Sequence, residues 1–227
     1  MTELALAGSP LWYAGRASGT LALILLTAAV ILGVVSGGRV APRRHGRFEL
    51  GVLHRNVSLL AVAFLVVHVV TMVLDPFVAL RWTAAVVPFG AAYRPFWLAL
   101  GAVALDLLLA VLVTSAVRHR LGRRRWKAVH WLAYAAWPAA LFHSAGAGTD
   151  TPLTLQLWIY AVCLASVVAA VWWRLAQAGP GRVAGRLTAG AAAAALPVVL
   201  WSFLVAGPLQ PGWADRAAPL LGTGGPL

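Results

Sequence analysis

The chain has 227 residues, 61% of them hydrophobic and only 11% charged, with a formal net charge of +12 and a single cysteine. That composition excludes an ordinary soluble domain and points to a multi-span membrane protein. Cys163 stands alone in an apolar run, which excludes an intrachain disulfide and a CxxC metal site and leaves it as a small buried apolar residue.

In chain order, residues 1–17 form a short N-terminal segment with Glu3 and Arg16. The first apolar run, 18–36, has no basic segment before it and an arginine-rich loop after it, so it reads as a span and not as a cleaved signal peptide. A second run, 51–74, ends at Asp75-Pro76, and a longer loop over 75–95 carries Arg81, Trp82, Pro88, Tyr93 and Arg94. Runs at 96–117, 128–146, 153–173 and 187–206 follow, separated by RHRLGRRRWK, GAGTDTP and RLAQAGPGRVAGR. Each run approaches the roughly 20 apolar residues that cross a bilayer. The expected fold is all-α, a polytopic membrane bundle of six transmembrane helices over 18–206, with a Pro/Gly-rich, poorly ordered tail at 207–227.

Fourteen of the 18 lysines and arginines fall in the loops after the first, third and fifth runs, and only Arg16, Arg81, Arg94 and Arg216 fall elsewhere. The basic loops are therefore expected on the cytoplasmic side of the cell membrane and both termini outside. The positive charge is then a topology signal and an attraction to anionic membrane lipid, and no nucleic-acid partner is expected.

Four of the six histidines lie in or beside apolar runs: His54 and His68 in the second, His130 and His143 in the fourth. Ionisable groups at such depths are rare and usually functional, and neutral imidazole is a common axial ligand of haem iron. His54 and His68 are 14 residues apart, which on an ideal helix leaves them within about 40° of one face and about 21 Å apart along the axis. His130 and His143 are 13 apart, about 19.5 Å, so their depths match, but ideal winding separates them by about 140°. Pro138 lies between them, where a helix distortion is expected. One span separates these two runs, so they are parallel. His54 and His130 then share the inner depth, and His68 and His143 the outer one. Two such helices facing each other would clamp two b-type haems, one ligand from each helix per iron. A single intramembrane histidine reads equally as a helix–helix hydrogen bond; four at matched depth point to ligation.

His-x13-His on one span, a spacer span, and His-x12-His on a parallel span, in the strings LHRNVSLLAVAFLVVH and RRRWKAVHWLAYAAWPAALFHS, resemble the ferric reductase-like transmembrane domain over about residues 18–175. That family includes the membrane domains of ferric reductases and NADPH oxidases and the haem subunit of bacterial methionine sulfoxide reductase systems. The resemblance implies transmembrane electron transfer, with His54 and His130 as the inner haem pair and His68 and His143 as the outer pair. Unlike family members that continue into a flavin and nicotinamide domain, this chain has no room for one and no GxGxxG after a strand. It resembles a stand-alone haem subunit of an oxidoreductase, drawing electrons from a separate flavoprotein reductase or a quinol. The rivals are a quinol-linked b-type cytochrome and a haem-free transporter or membrane scaffold.

Arg55, Arg125 and Lys127 flank the inner ends of the histidine runs, as partners for haem propionates or as plain topology charge. Arg81 and Arg94 are the corresponding candidates outside. Asp106, in the middle of the third run, is expected to face the bundle interior, and Asp150, before Thr151-Pro152, to cap a helix. His45 and His119 read as solvated loop residues. The tryptophans are expected mostly near span ends, with Trp131 packing on lipid or helix. Gly101 and Gly190 are expected to permit close helix approach.

Overall fold

A computed structural model describes residues 9–36, 44–76, 80–91, 93–177 and 183–213 of the chain. Arg39, Arg43, Arg182 and Arg216 lie outside the described residues, as do the side chains of Arg44, His45 and Arg47 and the tail from 214 on. Among the described residues all regular structure is helical: α1 (Pro10–Ser36), α2 (Arg44–Leu74), α3 (Trp82–Val86), α4 (Pro95–Ala116), α5 (Arg118–Leu121), α6 (Arg123–His130), α7 (Ala133–Ala147), α8 (Thr154–Ala176) and α9 (Val183–Ala206).

Five helices are long and apolar enough to cross a membrane: α1, the Phe48–Leu74 part of α2, α4, α8 and α9. The fourth expected span, 128–146, is divided between α6 and α7 by a turn at Trp131 and Leu132. The backbone remains right-handed there but tightens: the Leu132 N–H donates to the Val129 carbonyl at 2.9 Å, Tyr134 to Trp131 at 3.0 Å and Ala135 to Leu132 at 3.0 Å, all three residues back instead of four. Pro138 has no N–H to offer the Tyr134 carbonyl, so the ladder is weakened immediately beyond this turn. A 3₁₀ residue advances about 120° where an α-helical one advances about 100°. Some three to five residues so wound add roughly 60–100° of rotation, removing much of the 140° misalignment between His130 and His143.

Packing is uneven. α1 runs antiparallel along α2, with Ser9 Oγ donating to Asp75 Oδ1 at 3.0 Å at one end, and also packs on α7 and α8; α4 pairs with α7, and α8 with α9. The apolar core lies among α1, α7, α8 and α9, around Leu23, Val30, Trp137, Leu141, Tyr160 and Leu200. It contains polar ties: the Trp137 indole N–H donates to Thr27 Oγ1 at 2.9 Å while Thr27 donates to the Leu23 carbonyl, and the Tyr160 hydroxyl pairs with Ser144 Oγ at 3.0 Å. α2 makes no extensive contact with α6 or α7, so the two histidine-bearing elements face each other across open space.

The first residues of the expected tail make defined contacts. Residues 207–213 turn back over the end of α9, with Leu209 N donating to the Leu204 carbonyl at 2.9 Å and Gln210 Nε2 to the Val205 carbonyl at 2.6 Å. Trp213 comes within 6.2 Å of both Trp97 and Phe203. Arg94, buried and in the left-handed backbone region at φ 40°, closes this end by donating to the Gly146 carbonyl at 2.6 Å and the Trp213 carbonyl at 3.3 Å. Replacing Arg94 by leucine removes hydrogen bonds from a charged donor and strands a buried carbonyl, costing about 1.5–3 kcal/mol. Thermal unfolding in detergent should show a clearly lowered midpoint, and an unchanged one would contradict this role.

Candidate functional site

The four intramembrane histidines form two facing pairs. His54 on α2 stands opposite His130 at the end of α6, ring centres 6.1 Å apart and planes crossed at 70°. His68 on α2 stands opposite His143 on α7, at 6.2 Å and 74°.

Three of the rings are held by backbone. His54 Nδ1 meets the Ala29 carbonyl at 3.0 Å, His68 Nδ1 the Gly15 carbonyl at 2.7 Å and His143 Nδ1 the Trp97 carbonyl at 2.9 Å. A carbonyl only accepts, so Nδ1 must carry the proton in each, which leaves Nε2 bare on the other side of the ring. This is the arrangement by which ligating histidines are oriented and made more basic. His130 differs: its Nδ1 is buried and makes no hydrogen bond among the described residues.

Small residues on the neighbouring helices make room for the rings. A Cβ at Gly19 would lie 2.8 Å from His68 Nδ1, and one at Gly101 2.6 Å from His143 Nδ1, both too close for a real contact; at Gly33 the nearest His54 atom would be at an ordinary 3.5 Å. Gly101 thus leaves room for an imidazole. Gly190, by contrast, lies against the Trp172 ring, 3.5 Å from a would-be Cβ.

All four histidines line one cavity of about 2430 Å³ bounded by α1, α2, α4 and α6–α9, larger than the roughly 300–1,000 Å³ of common ligand pockets. Its basic end is lined by Arg55, Arg118, Arg123, Lys127, Arg174 and Arg186, its other end by Trp12, Arg16, Tyr93 and Asp150. Arg55 and Lys127 are exposed cations that line the cavity; Arg125 is exposed and not among the lining residues.

Several other expectations are corrected. Arg94 is taken up by the Gly146 and Trp213 carbonyls, and neither it nor the exposed Arg81 lines the cavity. The cation lining that end is Arg16, a residue the sequence reading left without a role; it pairs with Asp150 and lies 4.0 Å over the Trp12 ring. Asp150 is therefore no helix cap: α8 starts at Thr154 with Leu153 before it, too far along for the Asp150 carboxylate to serve. Asp106 does not face the interior. Burial on α4 stops at Ala104, and below it Asp106 is exposed beside Val103, Leu109 and Val113. Cys163 is buried and free, as expected.

The facing pairs fit a haem. A metal–imidazole bond is about 2.0–2.1 Å, and a ring centre lies about 1.2 Å behind its nitrogen, so two imidazoles on one iron stand roughly 6.4–6.6 Å apart. The observed 6.1 and 6.2 Å lie just short of that separation. Among the described residues no three or more His, Cys, Asp or Glu side chains gather around a common point; the histidines stand in pairs, which would suit a metal that needs only two protein ligands.

No curated protein and no solved structure matches the chain. The family model described as ferric reductase like transmembrane component matches residues 18–141, more than half of the chain, which takes in α1, α2, α4 and both histidine runs as far as Leu141. The chain, with its apolar helices and paired intramembrane histidines, belongs to the ferric reductase-like transmembrane family.

Proposed function

We propose that the protein is a di-haem b-type membrane cytochrome that carries electrons across the bilayer, with His54 and His130 holding the inner haem and His68 and His143 the outer one. The observation that carries this reading is the pair of imidazole separations, 6.1 and 6.2 Å, opening on one continuous cavity. The family's role in transmembrane electron transfer supports it. When bound, haem iron with two axial imidazoles supplies one-electron chemistry.

The chain's own residues do the rest. The Ala29, Gly15 and Trp97 carbonyls fix three rings and direct their bare nitrogens inward. Arg55 and Lys127 at one rim, and Arg16 at the other, are placed to bind acidic side groups of a bound macrocycle. The apolar walls from α1, α7 and α8 keep water from the path between the pairs. In this reading the α6–α7 element is a sixth span, and the clustering of cations at one end supports basic loops in the cytoplasm of a cell-membrane protein, with both termini outside. Electrons then enter at His54/His130, from a separate flavoprotein reductase or a quinol, and leave at His68/His143 toward an external acceptor.

An absorption spectrum of the detergent-purified protein, oxidised and dithionite-reduced, tests the reading; a reduced b-type band at about two haems per chain is expected. In His68→Ala the ratio should fall to one, and a variant that kept two six-coordinate haems would sink the pairing. The glycines give an independent series. Gly19→Ala and Gly101→Ala force a methyl against the outer pair and should weaken outer haem retention by about 10–100-fold, whereas Gly33→Ala should behave like the parent. Equal losses in all three variants would contradict the seating described above.

A further inference from the structure

We propose that Trp126 is the positioning residue for His130, in place of the carbonyl anchor that the other three histidines have, and that His130 is therefore the exchangeable ligand of the bundle. The inference rests on the di-haem reading above.

His54, His68 and His143 each give their Nδ1–H to a carbonyl of a neighbouring helix. His130 does not: its Nδ1 is buried without a hydrogen bond among the described residues. What it has is an indole. Trp126, one turn earlier on α6, lies 5.0 Å away with its ring tilted by 31°, close to an offset stack. That indole is itself fixed, because its N–H donates to Ser115 Oγ on α4 at 3.2 Å. The chain of support runs from α4 through Ser115 and Trp126 to the His130 ring. α6 ends at His130, and the tightened turn follows directly, so the backbone beneath the ring is a junction between two helices.

A stack and a carbonyl do different work. Both restrain the plane of the ring, but only the carbonyl draws on the Nδ1 proton and makes Nε2 a stronger donor. His130 is thus held in orientation without being strengthened as a ligand. With haem bound, the bond to His130 would be the most readily broken of the four, and an external ligand such as carbon monoxide would take its place on reduced iron. One ligand replaces another, and no electron is transferred.

The test uses the full chain in detergent, dithionite-reduced and mixed with carbon monoxide, followed by difference spectroscopy. Trp126→Leu should bind carbon monoxide at one of the two haems at least about tenfold faster than the parent, the lower range for loss of an outer partner. Trp126→Phe, which keeps an aromatic face but loses the N–H bond to Ser115, should accelerate binding clearly less than leucine does. The acceleration should persist when Trp126→Leu is combined with His68→Ala, where only the inner haem remains. If Trp126→Leu does not accumulate, Ser115→Ala, which removes only the indole's acceptor, should still accelerate binding in smaller measure. No acceleration in the tested variant, reaction at both haems alike, or equal effects of leucine and phenylalanine would overturn the proposal. A parent protein without haem would instead overturn the di-haem reading itself, and the two failures are told apart by the haem content measured first.

Discussion

An imidazole inside a membrane bundle has two nitrogens and little water to satisfy them, and the arrangement of this protein follows from that constraint. For three of the four rings one nitrogen is met by a main-chain carbonyl of another helix. The Ala29 and Gly15 carbonyls belong to α1, which therefore has to lie close along α2; the Trp97 carbonyl belongs to the first turn of α4, which has to lie close along α7. Gly19 and Gly101 leave the room that closeness requires. The bundle is in effect two helix pairs, α1 with α2 and α4 with α7, which fix His54, His68 and His143 beside the space between the pairs.

That space has a structural consequence. A bundle that packed α2 against α7 would fill it with side chains; here the apolar core lies among α1, α7, α8 and α9, and its Leu23, Val30, Trp137 and Tyr160 also line the space. α1 belongs to both halves, since it anchors His54 and His68 and also contributes Leu23, Val30 and Val34 to the core. The ends are then closed by polar ties. Arg94 binds α4 to the end of α7 and to the returning tail, Ser9 binds the start of α1 to Asp75, and Arg16 binds α1 to Asp150 in the turn before α8. Such ties are worth most where carbonyls and carboxylates would otherwise be buried without a donor.

The histidine constellation was legible in the sequence because residue spacing on a helix converts directly into depth and angle, and because ionisable residues stand out in apolar runs. The spans were legible for the same reason, apart from the division of the fourth. What was not legible depended on which groups meet across helices. Arg94 and Arg16 look alike in the sequence, each a lone arginine beside an apolar run. Only the approach of Gly146 and Trp213 to one, and of Asp150 and the cavity to the other, separates a tie from a cavity-lining cation. Asp106 was assigned to the interior from its depth alone, but depth does not determine facing, and α4 is covered only as far as Ala104. The return of residues 207–213 brings Trp213 to Trp97 and Phe203, a long-range contact that no local Pro/Gly pattern reveals.

The unequal histidine spacings show how a local backbone change satisfies two global conditions together. Fourteen residues of α-helix on α2 set a separation of about 21 Å between the pairs, while 13 residues on the facing element would reach about 19.5 Å and point its rings about 140° apart. Winding three to five of those 13 residues as 3₁₀ adds about 0.5 Å of rise and about 20° of rotation for each. The facing element then spans roughly 21–22 Å, and its angular error shrinks to roughly 40–80°. The tightened bonds at Leu132, Tyr134 and Ala135 are such a segment, set just ahead of Pro138 where the α-helical ladder lacks a donor. The one-residue difference between the two spacings and the proline between His130 and His143 are therefore parts of one device. The proline weakens the regular ladder, the turn before it overwinds, and the shorter spacing comes into register with the longer one in both depth and direction.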